Sequence, residues 1–228
     1  MILHPAKTKS MLLTTRQKHQ LCPLHLSLTD SHIEQVHEHW HLGIMTDEFG
    51  WRPHIIGTCK TVSKNLYLLS QLRHFVDTPK RKLFYHAHIS SRLTYASTVW
   101  DGCSDILFNK PNSLHRRAAK LMISDSSLST DTKLRYLGIL SLKEKLMFNK
   151  AVLVFKAYKN LAPPYLKQLF ICSSIRATSR YITLPKPRID LFKTSFSFSG
   201  ASLWNIIPNK IKSCNSLTSF KTQLYKWI

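Results

Sequence analysis

Carboxylates are the first side chains to weigh, because two-metal phosphoryl transfer needs several of them converging on a pair of divalent ions. The chain of 228 residues has 12 Asp plus Glu, widely dispersed, and its single adjacent pair, Asp47-Glu48, falls in a segment that reads as a turn. There is no Asp-Asp motif, no Gly-rich phosphate loop, no G-x-S-x-G elbow and no H-E-x-x-H helix. The sequence therefore predicts no catalytic residue, no resident metal and no cofactor. Twelve histidines invite a metal reading. His37, His39 and His41 alternate, so on a strand they would share one side, as a transition-metal site needs. A His-rich surface strand is the simpler reading and the one adopted. His86 and His88 point in different directions on a helix.

Cations are the stronger signal. Lys and Arg total 33, giving a formal charge of +21 and a pI near 10.0. A chain with that imbalance repels itself unless a polyanion is nearby, and nucleic acid is the commonest such partner; an anionic membrane surface or an acidic protein is the rival. Two groups of cations have the spacing of a phosphate-tracking surface. Arg73, Lys80, Arg81 and Lys82 surround one helix junction, and Arg116, Arg117 and Lys120 occupy consecutive positions and the next turn of another helix. Ordinary solvated faces account for any one of them; together they point to backbone binding, since phosphate contacts add. Trp51, Trp100 and Trp204 have the chemistry of base-stacking platforms, but each lies among apolar neighbours, and core packing is the expectation.

The elements that must carry these residues fall into three stretches. Hydrophobic residues make up 43% of the chain and aromatics 11%, enough for a packed core. Residues 1–56 alternate in short runs: Leu24–Leu28 reads as a half-buried strand, and Leu42–Met45 as a strand entering a tight turn at Asp47–Trp51, which together predict a small antiparallel sheet. Residues 57–170 read as helical. Val62, Leu66, Leu69 and Phe75, with Leu72 alongside, form an apolar stripe with Lys60, Lys64 and Arg73 off it. Thr78-Pro79 opens a helix to about Tyr95, and the basic first turn there suits a helix N-terminus that meets an anion. Ser141-Leu142-Lys143-Glu144 is a capping box for a long helix ending near Asn160, before Ala162-Pro163-Pro164. In residues 171–228, Arg180–Pro185 and Thr194–Gly200 alternate like a β-hairpin, and Ser216–Ile228 reads as a short amphipathic helix through Leu217, Phe220, Leu224 and Trp227. The fold class expected is α+β, mainly α.

Cys22, Cys59, Cys103, Cys172 and Cys214 are odd in number, far apart and free of C-x-x-C spacing, which predicts idle thiols in a reducing compartment. The longest aliphatic-aromatic run, Ala151–Phe155, is far short of a membrane span, and the first residues lack a signal-peptide core. An intracellular protein, nuclear or cytoplasmic, with no membrane partner is expected.

Short patterns along the chain occur in the order found at the end of the reverse transcriptase frame of jockey-like and related non-LTR (LINE-type) retrotransposons. Lys7–Leu12 resembles the K-T-K-x-M-L segment downstream of the polymerase Asp-Asp motif. Val36 with Leu42-Gly43-Ile44 resembles the V-x-x-x-x-Y-L-G-V strand, and Trp51–Ile55 the W-x-x-H-I that opens the thumb. Lys64–Leu66 through Leu72-Arg73 resembles the next thumb helix. Tyr95 with Val99-Trp100 is similar to Y-x-S-x-V-W, and Asn112–His115 leads into Arg116-Arg117-Ala118 where the family has a Gln-containing segment before paired basic residues. Leu137–Leu142 and Ala162–Leu166 resemble the junctions flanking the long helix. Phe196-Ser197, Gly200-Ala201, Trp204–Pro208 and Ser219–Lys221 are similar to the closing F-S-x-x-G-x-x-x-W-N-x-L-P and F-K signature.

The resemblance covers nearly the whole chain and implies a palm-to-thumb β segment at 1–56, a helical thumb-like domain at 57–170 and a C-terminal subdomain at 171–228. His39-Trp40-His41 departs from the aromatic-Lys-Tyr that precedes Leu-Gly in the family, as drift of a decayed copy would. The endonuclease, the fingers and the palm strands bearing the catalytic acids have no counterpart, so RNA-directed DNA polymerase activity does not carry over, whereas the thumb's grip on a template–primer duplex does. Lys7 or Lys9 matches the lysine that assists pyrophosphate departure in such polymerases, a role that needs the palm. The resemblance thus implies a non-catalytic fragment binding RNA or DNA duplex or hybrid backbones with low sequence specificity. The alternatives are a translated remnant without selected function, or an interaction module docking onto an intact reverse transcriptase.

Overall fold

In a computed structural model of the chain, residues 4, 7–12, 25–28, 31–47, 50–170 and 181–228 are described. Leu24, Glu48, Phe49, Arg180 and the thiols of Cys22 and Cys172, which figure in the sequence reading, lie outside them. The fold is α+β and mainly α; among the described residues the short strands fall within the first 46 and helices follow. It divides into two compact units, residues 1–61 and 62–228.

In the first unit, β1 (Lys9–Ser10), β2 (Leu26–Leu28) and β3 (Ser31–Gln35) form a sheet in the order β1-β3-β2. β2 and β3 are antiparallel, as expected, but β1 joins β3 in parallel with Lys9 opposite Glu34, so the sheet is mixed. The Lys9 ammonium is paired with the Glu34 carboxylate, which is held below its usual pKa by that hydrogen bond and charge. A separate hairpin pairs β4 (His39–His41) with β5 (Ile44–Thr46). Here the expected strand start is corrected: Leu42 (φ 48°) and Gly43 (φ 79°) are the turn itself. Two consecutive positive φ values define the type I′ geometry whose twist suits a two-residue hairpin. Asp47 Oδ1 then accepts from the N–H groups of Gly50 and Trp51, both at 2.8 Å, ahead of α1 (Arg52–Leu72).

In the second unit, Val62, Leu66 and Leu69 of α1 are buried as the stripe predicts. Phe75 is not: it lies beyond the end of the helix and is 85% exposed. The next helix begins as α2 (Thr78–Phe84), one residue off the expected cap, because Asp77 accepts from Lys80 N while Thr78 is already helical. It continues through a π turn (Tyr85–Ser90) into α3 (Ser91–Thr94) and stops where Tyr95 is extended and Ala96 left-handed. After α4 (Ser97–Trp100) come α5 (Asp105–Met122), α6 (Thr130–Tyr136) and α7 (Leu142–Tyr158). The capping box of α7 forms in both directions: Glu144 N donates to Ser141 Oγ, and Ser141 N to Glu144 Oε2. Its other end closes as a Schellman motif around left-handed Asn160, with Leu161 N donating to Lys156 O at 2.8 Å.

The expected C-terminal β-hairpin is replaced by helix. Phe196–Ile206 is α10, preceded by the short α8 (Pro164–Gln168) and α9 (Asp190–Lys193). Five residues of Phe/Ser alternation satisfy a strand period, but Ser195 accepts from Phe198 N as an N-cap, and buried Gly200, Ala201 and Trp204 continue at helical spacing. α11 (Asn209–Lys212) and α12 (Leu217–Trp227) follow, the latter burying Phe220 and Leu224 as predicted.

α7 shares one core with α10 and α12. Phe155 of α7 stacks on Phe220 of α12 at 4.1 Å between centroids, and Trp204 of α10 lies 6.2 Å from Phe220. Ile182, Ile207 and Leu224 complete this core. α10 can approach α7 because Gly200 has no side chain; a Cβ there would stand 3.1 Å from Val154 Cγ2. Trp100 and Trp204 are buried, so neither is a stacking platform, and Trp51 is half-buried. Replacing Phe155 with Ala should lower unfolding free energy in urea by about 3–5 kcal/mol, whereas Phe75→Ser should change it by no more than about 0.5 kcal/mol.

Candidate nucleic-acid interface and an adjoining cleft

A helix C-terminus leaves carbonyls without intrahelical donors, and the end of α5 is where two cations of this chain go. Arg81 donates from its guanidinium to Met122 O at 3.0 Å, and from Nε to Val76 O at 2.8 Å. Lys133 of α6, only 5% exposed, donates from Nζ to Ile123 O at 3.1 Å. Both charges sit at the negative end of the α5 dipole. The sequence pattern turns Arg81 toward a phosphate; the structure commits it instead to joining α2 to α5.

The other expected binding residues divide by their partners. Lys80 is exposed and loosely paired with Asp77 at 3.8 Å, and Lys82 is half-buried. Arg73, just past α1, is half-buried with Nε 3.3 Å from His74 Nε2. Arg116 forms a two-pronged ion pair with Asp131 of α6, at 2.6 and 3.4 Å. Arg117 and Lys120 are exposed. The α2–α5 link brings the first cluster to the end of the helix that bears the second. Lys80, Lys82, Arg116, Arg117 and Lys120 thus lie about the α2–α5 junction, with Arg81 committed to the Met122 carbonyl.

That junction is held internally by Tyr85 of the π turn, whose hydroxyl shares a hydrogen bond of 3.0 Å with His115 Nδ1. Both are 2% exposed. Burial pushes Tyr85 up to about 12 and His115 down to about 4. His86 and His88 lie on the same π turn and are exposed, with the His88 ring 4.6 Å from Phe84. Of the alternating histidines, only His39 and His41 belong to β4. Among the described residues no group of three His, Cys, Asp or Glu side chains is arranged to hold a metal ion.

The sequence reading passed over a cleft of 640 Å³ between α5, α7 and α10. α7 contributes Lys143, Met147 and Lys150 at one-turn spacing, and α5 contributes Phe108, Asn109 and Asn112. Phe198, Ser202 and Ile206 close the α10 side. On its wall Lys150 Nζ is 2.9 Å from Asp101 Oδ2 and 3.1 Å from Ser199 Oγ, with the two charged side chains 13% and 7% exposed. Burial raises the Asp101 carboxyl above its ordinary range despite the pull of Lys150, and it pushes the Cys103 thiol up to about 11. Gly102 permits this corner, since a Cβ there would meet Thr194 O at 2.7 Å. Nothing in one-dimensional spacing joins Asp101, Lys150 and Ser199. The signal that existed was Lys143, Met147 and Lys150 on one face of a helix whose ends were legible.

Arg81→Met should cost about 1–3 kcal/mol of stability in urea melts by orphaning the Met122 carbonyl. His115 is held neutral in the fold, with a pKa below its unfolded value of 6.5, so its contribution is complete above pH 6.5 and is lost as pH falls through about 4. Urea melts across that window should lose roughly 3 kcal/mol, and His115→Gln should flatten the loss. Comparison with known proteins returns no match to any family model, curated protein or solved structure.

Proposed function

We propose that this chain is a non-catalytic region derived from a non-LTR reverse transcriptase, thumb and beyond, that binds nucleic-acid backbones electrostatically. The observation that carries the reading is the set of cations on the outer side of α5: Arg116, Arg117 and Lys120, opposed there by Asp131 alone among the ion pairs of the described residues. A net charge of +21 extends the attraction beyond this face. The helices of the second unit carry these side chains, and the ordered sequence patterns suggest the lineage. Lys80 and Lys82 extend the set across the α2–α5 junction. Contacts of this kind read phosphates and shape, with little base preference. The Lys9–Glu34 pair leaves Lys9 engaged within the sheet.

The reading requires a steep dependence on ionic strength. With about five phosphates engaged, log K should fall with log salt at a slope of about −4.5 on duplex DNA. Arg117→Glu with Lys120→Glu should lower affinity for duplex or hybrid by about tenfold or more at low salt. Since both side chains are exposed, urea stability should fall by no more than about 1 kcal/mol, the cost of an acid in the last turn of α5. Fluorescence anisotropy against labelled duplexes at several salt concentrations reads both effects. Affinity indifferent to salt, or a double variant that binds as the parent does, rules the proposal out.

A further inference from the structure

The cleft beside α5 continues the cationic face. Along that helix, Asn109 and Asn112 line the cleft, and Arg116 and Lys120 come at the next two one-turn steps on the same side. From Asn112 to Lys120 is about 12 Å at the helical rise per residue. A strand whose phosphates track Lys120 and Arg116 is thereby led to the cleft mouth.

The wall of the cleft has a particular chemistry. Asp101 offers a carboxylate acceptor and Lys150 an ammonium donor, side by side at 2.9 Å and largely withdrawn from water. A desolvated ion pair of this kind contributes little net stability. Placed on a cleft wall it offers adjacent accepting and donating groups, the complement of a nucleobase edge that carries a donor next to an acceptor. Phe108, Met147 and Phe198 supply apolar surface for a flat ring, and Lys143, exposed at the cleft, supplies a cation for a phosphate. The volume of 640 Å³ lies in the range of small-ligand sites.

We propose that this cleft is a nucleotide-binding pocket, receiving one unpaired nucleotide with its base edge on Asp101 and Lys150 and its phosphate toward Lys143. The pocket stands on its own geometry; only delivery of the nucleotide by a bound strand rests on the backbone-binding reading. A free nucleoside monophosphate and the unpaired end of a strand present the same chemistry to it.

The test is calorimetric titration of the full chain with the four nucleoside 5′-monophosphates, ribose 5-phosphate and inorganic phosphate. At least one monophosphate should bind with a dissociation constant below about 1 mM, and about tenfold more tightly than ribose 5-phosphate. Met147→Trp, which fills the cleft and leaves the ion pair intact, should abolish binding, and Lys143→Glu should weaken monophosphates by about tenfold while leaving the parent nucleoside unchanged. Arg117→Glu with Lys120→Glu should leave mononucleotide binding intact, which separates this site from duplex capture. A single-stranded 3′ overhang that strengthens duplex binding in the parent, but not in Met147→Trp, identifies the strand end as the source; monophosphate binding without that gain identifies the free nucleotide. Equal binding of inorganic phosphate, no binding by any monophosphate, or binding that survives Met147→Trp overturns the proposal, whether or not duplexes bind.

Discussion

The end of α5 governs how the charged half of this molecule is organised. Its last carbonyls need donors, and they are met by Arg81 from α2 and Lys133 from α6. Each contact satisfies a carbonyl that would otherwise be costly to withdraw from water, and each places a fixed positive charge where the helix is negative. Three helices are thus tied at one point. The positions of Lys80, Lys82, Arg116 and Lys120 depend on that tie, and the Tyr85–His115 hydrogen bond repeats it one turn deeper.

This arrangement sorts a large cationic excess into kinds. Arg81 and Lys133 act as helix caps. Lys150 lies against a buried carboxylate, and Lys212, 1% exposed, lies over the Tyr181 ring at 4.8 Å and donates to Asn205 O. Burial lowers the Lys212 pKa, its ammonium being set against rings and a carbonyl. Arg117 and Lys120 belong to a remainder that stays exposed. Counting basic residues along a chain does not make this distinction; hydrogen-bond partners do.

Helix ends were the most legible part of the sequence. The Ser141/Glu144 box, the stop at Asn160 and the Ser216-led final helix are local devices whose physics needs no distant partner. Phe196–Gly200 misled because a short alternation fits two periods, and the arbiter, packing of Gly200 on Val154 and Trp204 on Phe220, involves residues far apart in the chain. Phe75 misled because the stripe outlasts the helix by one turn. Among the site residues, exposure of Arg117 and Lys120 agrees with their helical register, but the duty of Arg81 depends on a carbonyl 41 residues away. The cleft needed three helices assembled before its donors and acceptors stood together.

The π turn at Tyr85–Ser90 carries a consequence for how such a chain tolerates length changes. Its i→i+5 bonding houses one residue more than regular winding would. Loss of a single residue inside it can be absorbed by tightening to an ordinary α turn, so that Leu93 and the residues after it stay in phase with Arg81. The same deletion one turn earlier would swing every later side chain through a quarter-circle or more. A stretch that can absorb a one-residue deletion and one that cannot therefore sit side by side on one continuous rod.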